Sequence, residues 1–101
     1  MPNRNDNRQH NVLLWATHAL GAFIAARALR AGDHVRALAI AHALTRLDPL
    51  DEAARQIAIS AHIAANDRGA AILEYRGYRE LLRSELDVEP SADLLRILEA
   101  G

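Results

Sequence analysis

The chain contains no cysteine and no lysine. Without thiols it has no disulfide scaffold, zinc ribbon or cysteine nucleophile, and it carries no redox signal for its compartment. All twelve basic residues are arginine, which removes Schiff-base chemistry and the lysine of a phosphate-binding loop. A formal net charge of −1 supplies neither disorder by charge excess nor an overall electrostatic grip on nucleic acid. Long apolar runs are scarce too. The uncharged stretch from Gln9 to Ala26 is broken by Thr17, His18 and Gly21. It reads as short and polar beside the roughly twenty apolar residues of a membrane span. Arg4, Arg8 and the Ala26-Arg27-Ala28 tripeptide imitate a signal peptide, but Asp6 and the same interruptions oppose that reading. A cytoplasmic protein with no membrane association is expected.

Among 101 residues stand twenty-one Ala and fifteen Leu, against three Val, seven Ile and two Thr. Small and unbranched side chains lose little rotamer freedom in a helix, so the expected class is all-α, in one small domain. The polar, aperiodic residues 1–10 read as a disordered start, with the folded domain over 11–101. A first helix runs from Val12 to about Arg30, ending at Ala31-Gly32. Asp33 caps a second helix whose stripe is Ala37, Leu38, Ala41, Leu44 and Leu47, and Asp48-Pro49 ends it. A third spans about Asp51 to Ala65, with Ala54, Ile57, Ala58, Ala61 and Ile63 inside. In the fourth, Arg68 to Leu86, the residues Ala71, Tyr75, Tyr78, Leu82 and Leu86 recur at helical steps. Ser91 caps a fifth helix, Ala92 to Ala100, with Leu94, Leu95 and Leu98 as its apolar face.

A shift of 34 residues superposes the chain on itself. Gly32-Asp33 falls on Asn66-Asp67, Leu29 on Ile63, Ala37 on Ala71 and Leu38 on Ile72. This resembles a pair of tetratricopeptide-like hairpins, closed by the fifth helix, although Gly21 and Arg55 stand where that repeat usually has tryptophan. The ending is more specific. Leu81-Leu82-Arg83-Ser84-Glu85-Leu86-Asp87-Val88-Glu89-Pro90-Ser91-Ala92-Asp93-Leu94-Leu95 closely resembles the end of the bacterial transcriptional activator domain of SARP-like regulators. Asp87 occupies the left-handed position where that family typically has glycine. Leu47-Asp48-Pro49-Leu50-Asp51-Glu52-Ala53, Asn66-Asp67-Arg68-Gly69-Ala70-Ala71, Tyr75 and Tyr78-Arg79 extend the likeness upstream.

The resemblance implies a helical adaptor in transcriptional regulation that supports self-association or docks to a regulator. The family's winged-helix DNA-binding domain is not expected within Met1 to Ala31, so direct DNA binding by this chain is not expected. Trp15 lies on a helix whose apolar residues surround it, and an uncovered patch there would mark a protein partner or a homodimer. A rival reading is a generic repeat adaptor or chaperone holding a peptide in the groove of helices one and three, lined by Ala22, Ala26, Arg30, Gln56 and Ser60. Arg76, Arg79 and Arg83 form a possible basic stripe, but the interleaved Glu74 and Glu80 favour a solvated, ion-paired face. His10, His18, His34, His42 and His62 include no i, i+4 pair, so no metal site is expected, and His62 reads as a packing residue. No nucleophile–base pair or phosphate loop suggests catalysis, and no cofactor is implied.

Overall fold

In the computed structural model residues 4–101 are described, with side chains from Val12 onward. They form five α-helices: α1 Arg4–Arg30, α2 His34–Leu47, α3 Glu52–Ala64, α4 Arg68–Leu86 and α5 Ala92–Ala100. α1 and α2 make one hairpin, α3 and α4 the second, and α5 packs on α3 and α4. The architecture is all-α and tetratricopeptide-like, as the 34-residue period implies. α1 starts earlier than the expected Val12, because neither glycine nor proline interrupts the chain between Asn3 and Leu20. Arg4 to His10, expected to be disordered, thus belong to α1, while residues 1–3 lie outside the described residues.

The two hairpin turns repeat each other bond for bond. Gly32 and Asn66 both adopt left-handed backbone, at φ 83° and 60°. The Asp33 and Asp67 amides then donate back to Ala28 O and His62 O at 2.9 and 2.8 Å, the reverse bond of a Schellman cap. Each Asp side chain next accepts from the amide three residues on, Arg36 N and Ala70 N, at 3.1 Å, which satisfies an orphan donor of the new helix. The period seen in the sequence is therefore a repeated capping geometry.

Small residues make the first hairpin tight. Ala25, Ala28, Ala37, Ala41, Ile57, Ala58 and Ala61 form one buried cluster, in which six alanines allow close helix approach. Ile59, Ala71, Tyr78, Leu82, Leu94 and Leu98 form a second, bulkier cluster. α3 contributes to both and carries buried residues around most of its circumference, as a central helix must. Three residues expected inside are exposed: Leu47 and Leu86 at the ends of their stripes, and Leu95 beside the buried Leu94, while Leu38, Ile63 and Tyr75 are half-buried and pack against the clusters. Ser91 occupies the N-cap of α5 without a side-chain capping bond. Its backbone N–H instead donates to Glu52 Oε1 at 3.1 Å, tying α5 to the start of α3.

Candidate interaction face and interhelical polar cluster

α1 has 27 residues and α2 has 14. At 1.5 Å per residue these are about 40 and 21 Å long, so the N-terminal half of α1 overhangs its partner. The overhang leaves the side chains from Val12 to Trp15 uncovered, and Leu20, Phe23 and Ile24, in the stretch alongside α2, extend the exposed apolar face. Trp15 is 73% exposed, and Val12, Leu13, Leu14, Leu20, Phe23 and Ile24 are exposed with it. Apolar area of this extent on a helix is unusual for an isolated domain. A cleft of about 650 Å³ runs beside it, where Leu14, Trp15, His18, Ala19 and Ala22 face the α2–α3 turn at Leu47 to Ala53. On the other flank, Leu20, Phe23, Ile24 and Arg27 border a smaller cleft against Asp33 and Arg36.

His18 and Asp51 set the floor of the larger cleft. His18 Nδ1 lies 2.7 Å from Asp51 Oδ2, and Asp51 Oδ1 accepts from Ala54 N at 3.1 Å to cap α3. One carboxylate thus both starts α3 and holds α1 to it.

By length and mean hydropathy, 1.5, the segment Val12–Arg30 is apolar enough to cross a membrane, and almost none of it is buried. This corrects the expectation that the stretch is too short and too polar. Its alanines and large apolar residues outweigh Thr17, His18, Arg27 and Arg30 in the mean.

Of the residues expected to meet a partner, Trp15 and Ala22 come together in the cleft. Ala26 packs against the alanine-rich core instead. Arg30 and Gln56 are exposed, and Ser60 is half-buried on α3. The basic stripe is present on α4, where Arg76, Arg79 and Arg83 border one shallow hollow with Glu80 and Ser84. Its ion pairing differs from expectation. Arg79 Nε and Arg83 Nη2 both bind Glu89, at 2.8 and 3.1 Å, since the joint before α5 folds back over the last turns of α4. Glu74 is turned the other way.

There it anchors a cluster that sequence reasoning missed. Glu74 Oε1 accepts from His42 Nε2 and lies 3.7 Å from His62 Nε2, while Glu74 Oε2 accepts from Arg55 Nη1 at 3.1 Å. Burial raises the Glu74 carboxyl, but the bonds and charges of His42 and Arg55 outweigh it and hold the group below its ordinary 4.5. Arg55 is itself placed by the Tyr78 ring, 5.6 Å beneath its guanidinium, and by the Pro49 carbonyl at 3.4 Å. Burial, then the neighbouring Glu52 carboxylate, push the Tyr78 phenol up to about 12. His62, largely buried, thus borders this polar cluster while it packs. No one helix carries the pattern, because His42, His62 and Glu74 come from α2, α3 and α4; the only trace in the sequence is a polar residue interrupting each apolar stripe.

Residues 7–100 match the family model of the bacterial transcriptional activator domain. The chain belongs to that family. No curated protein and no solved structure matches it. A bacterial transcriptional activator domain is a domain of transcriptional regulators, which sets the context for the exposed α1 face and agrees with the family likeness of the Leu81 to Leu95 segment.

Proposed function

We propose that this bacterial transcriptional activator domain is a non-catalytic protein–protein interaction module of a cytoplasmic regulator, which self-associates or docks to a regulator partner through the α1 face centred on Trp15. The observation that carries the reading is the uncovered apolar side of α1, from Val12 to Ile24. Burying it against a second protein surface removes several large side chains from water, each worth about 1.5–3 kcal/mol when fully covered. DNA is not read by this chain on this proposal, since Arg79 and Arg83 are engaged with Glu89.

The test is light scattering behind size exclusion over about a hundredfold concentration range, with wild type and Trp15→Glu. A concentration-dependent dimer lost in the variant supports the reading. A monomer at every concentration shifts the assignment to a peptide-binding adaptor using the cleft of Trp15 and Ala22. Partition of the wild type into lipid vesicles, abolished by the same substitution, assigns α1 to a bilayer and overturns the proposal.

A further inference from the structure

We propose that His42, His62 and Glu74 form a binding site for one divalent transition-metal ion of the zinc class, held between α2, α3 and α4. The inference is independent of the α1 face. Their three ligand atoms lie within 4.8 Å of one another. Two imidazoles and a carboxylate suit zinc-class ions, whereas magnesium and calcium prefer all-oxygen sets.

The geometry is close to what binding requires. Zinc sits about 2.0–2.2 Å from imidazole nitrogen and carboxylate oxygen in a tetrahedral arrangement, which places neighbouring ligand atoms about 3.3 Å apart. His62 Nε2 is 3.7 Å from Glu74 Oε1, and His42 Nε2 reaches the same oxygen. Binding would require the ligand atoms, now within 4.8 Å of one another, to close to about 3.3 Å by side-chain rotation. The ion would take the place of the His42–Glu74 hydrogen bond.

Supporting contacts are already in place. Arg55 Nη1 holds Glu74 Oε2 at 3.1 Å, so the carboxylate presents Oε1 to both imidazoles, the outer contact that orients a metal-binding carboxylate. The Arg55 charge opposes the ion, which places the affinity below that of closed four-ligand sites. Depth also fits. The side chains of His62 and Glu74 are 13% exposed and that of His42 is 38% exposed, so His42 forms the entry side. Three protein ligands leave a fourth position for water or for a donor from a partner. Because the ligands come from both hairpins, an ion here would clamp the first repeat to the second.

The experiment uses the full chain without an affinity tag, stripped with a chelator and titrated with Co²⁺, followed by visible absorption. The expected result is saturation at one equivalent, displacement by Zn²⁺, no response to Mg²⁺, and a rise of the wild-type melting temperature in Zn²⁺. His62→Gln and Glu74→Gln, checked for folding by circular dichroism, are expected to weaken binding by about tenfold or more, while His34→Gln leaves it unchanged. Absence of saturable Co²⁺ binding, or a wild-type melting temperature that does not rise in Zn²⁺, would overturn the site. So would binding that persists in folded His62→Gln and Glu74→Gln chains. The wild-type readouts need no variant, so the proposal stays testable if either substitution prevents folding.

Discussion

Gly21 of α1 lies directly against Leu44 of α2: a Cβ placed on the glycine would fall 2.8 Å from Leu44 Cδ2. Leu44 is buried and has little room to retreat. Gly77, in the middle of α4, has open space where a side chain would go. Gly77→Ala is therefore expected to stabilise the domain by about 1 kcal/mol through helix propensity alone. Gly21→Ala is expected to destabilise it by about 1 kcal/mol, because overpacking outweighs the same gain. Urea unfolding of the two variants checks the opposite signs.

Asp87 and Asn66 are the two non-glycine residues in left-handed backbone, at φ 53° and 60°, among the described residues. The conformation costs an L-residue roughly 1–2 kcal/mol, less for Asn and Asp, whose short polar side chains bond locally. Asp87→Gly is expected to raise stability by about 0.5–1 kcal/mol, and Asp87→Val to lower it by more than that. Thermal melts of the pair decide, and equal melting temperatures would show that the cap is not strained.

Leu94 on α5 is fully buried, whereas Trp15 is mostly exposed. Leu94→Ala is expected to cost about 3 kcal/mol by cavity formation under α5. Trp15→Ala is expected to change monomer stability by no more than about 0.5 kcal/mol. Denaturation at low protein concentration separates the two, and a large loss for Trp15→Ala would mean that α1 is packed in the isolated chain.

Glu89 is held below its ordinary carboxyl value of 4.5, by its hydrogen bond to Arg79 first and to Arg83 second. A depressed folded value means that the contact contributes above the unfolded pKa and is lost as pH falls through the folded one. NMR titration of the Glu89 side chain is expected to place its midpoint below 4.5, moving up in Arg79→Gln. A midpoint unmoved by that substitution would show the pairing to be absent in solution. Both partners are in water, so the effect on global stability is expected to be small.

Helix identity was legible from one-dimensional signals. Asp33, Asp51 and Asp67 cap three helices at the expected positions, because capping depends on residues three apart and nothing distant, and Ser91 stands at the expected start of a fourth without a side-chain capping bond. The 34-residue shift likewise exposed the paired turns at Gly32 and Asn66. Stripe ends were less legible. Leu47 and Leu86 continue a perfect helical spacing, yet whether a neighbouring helix reaches them depends on relative helix lengths. The role of His42, His62 and Glu74 was not legible at all, since each comes from a different helix and has no His, Asp or Glu three or four residues away.

Local chemistry in the sequence therefore determined five helices, their caps, their repeat and, through the ordered segment from Leu81 to Leu95, the family. Tertiary structure alone decided that α1 outruns α2 and leaves the side chains from Val12 to Trp15 exposed, and that His42, His62 and Arg55, from α2 and α3, converge on Glu74 of α4. The physical reason is range: caps and periodicity act within one or two turns of chain, whereas an overhang and an interhelical cluster exist only once separate helices are laid side by side.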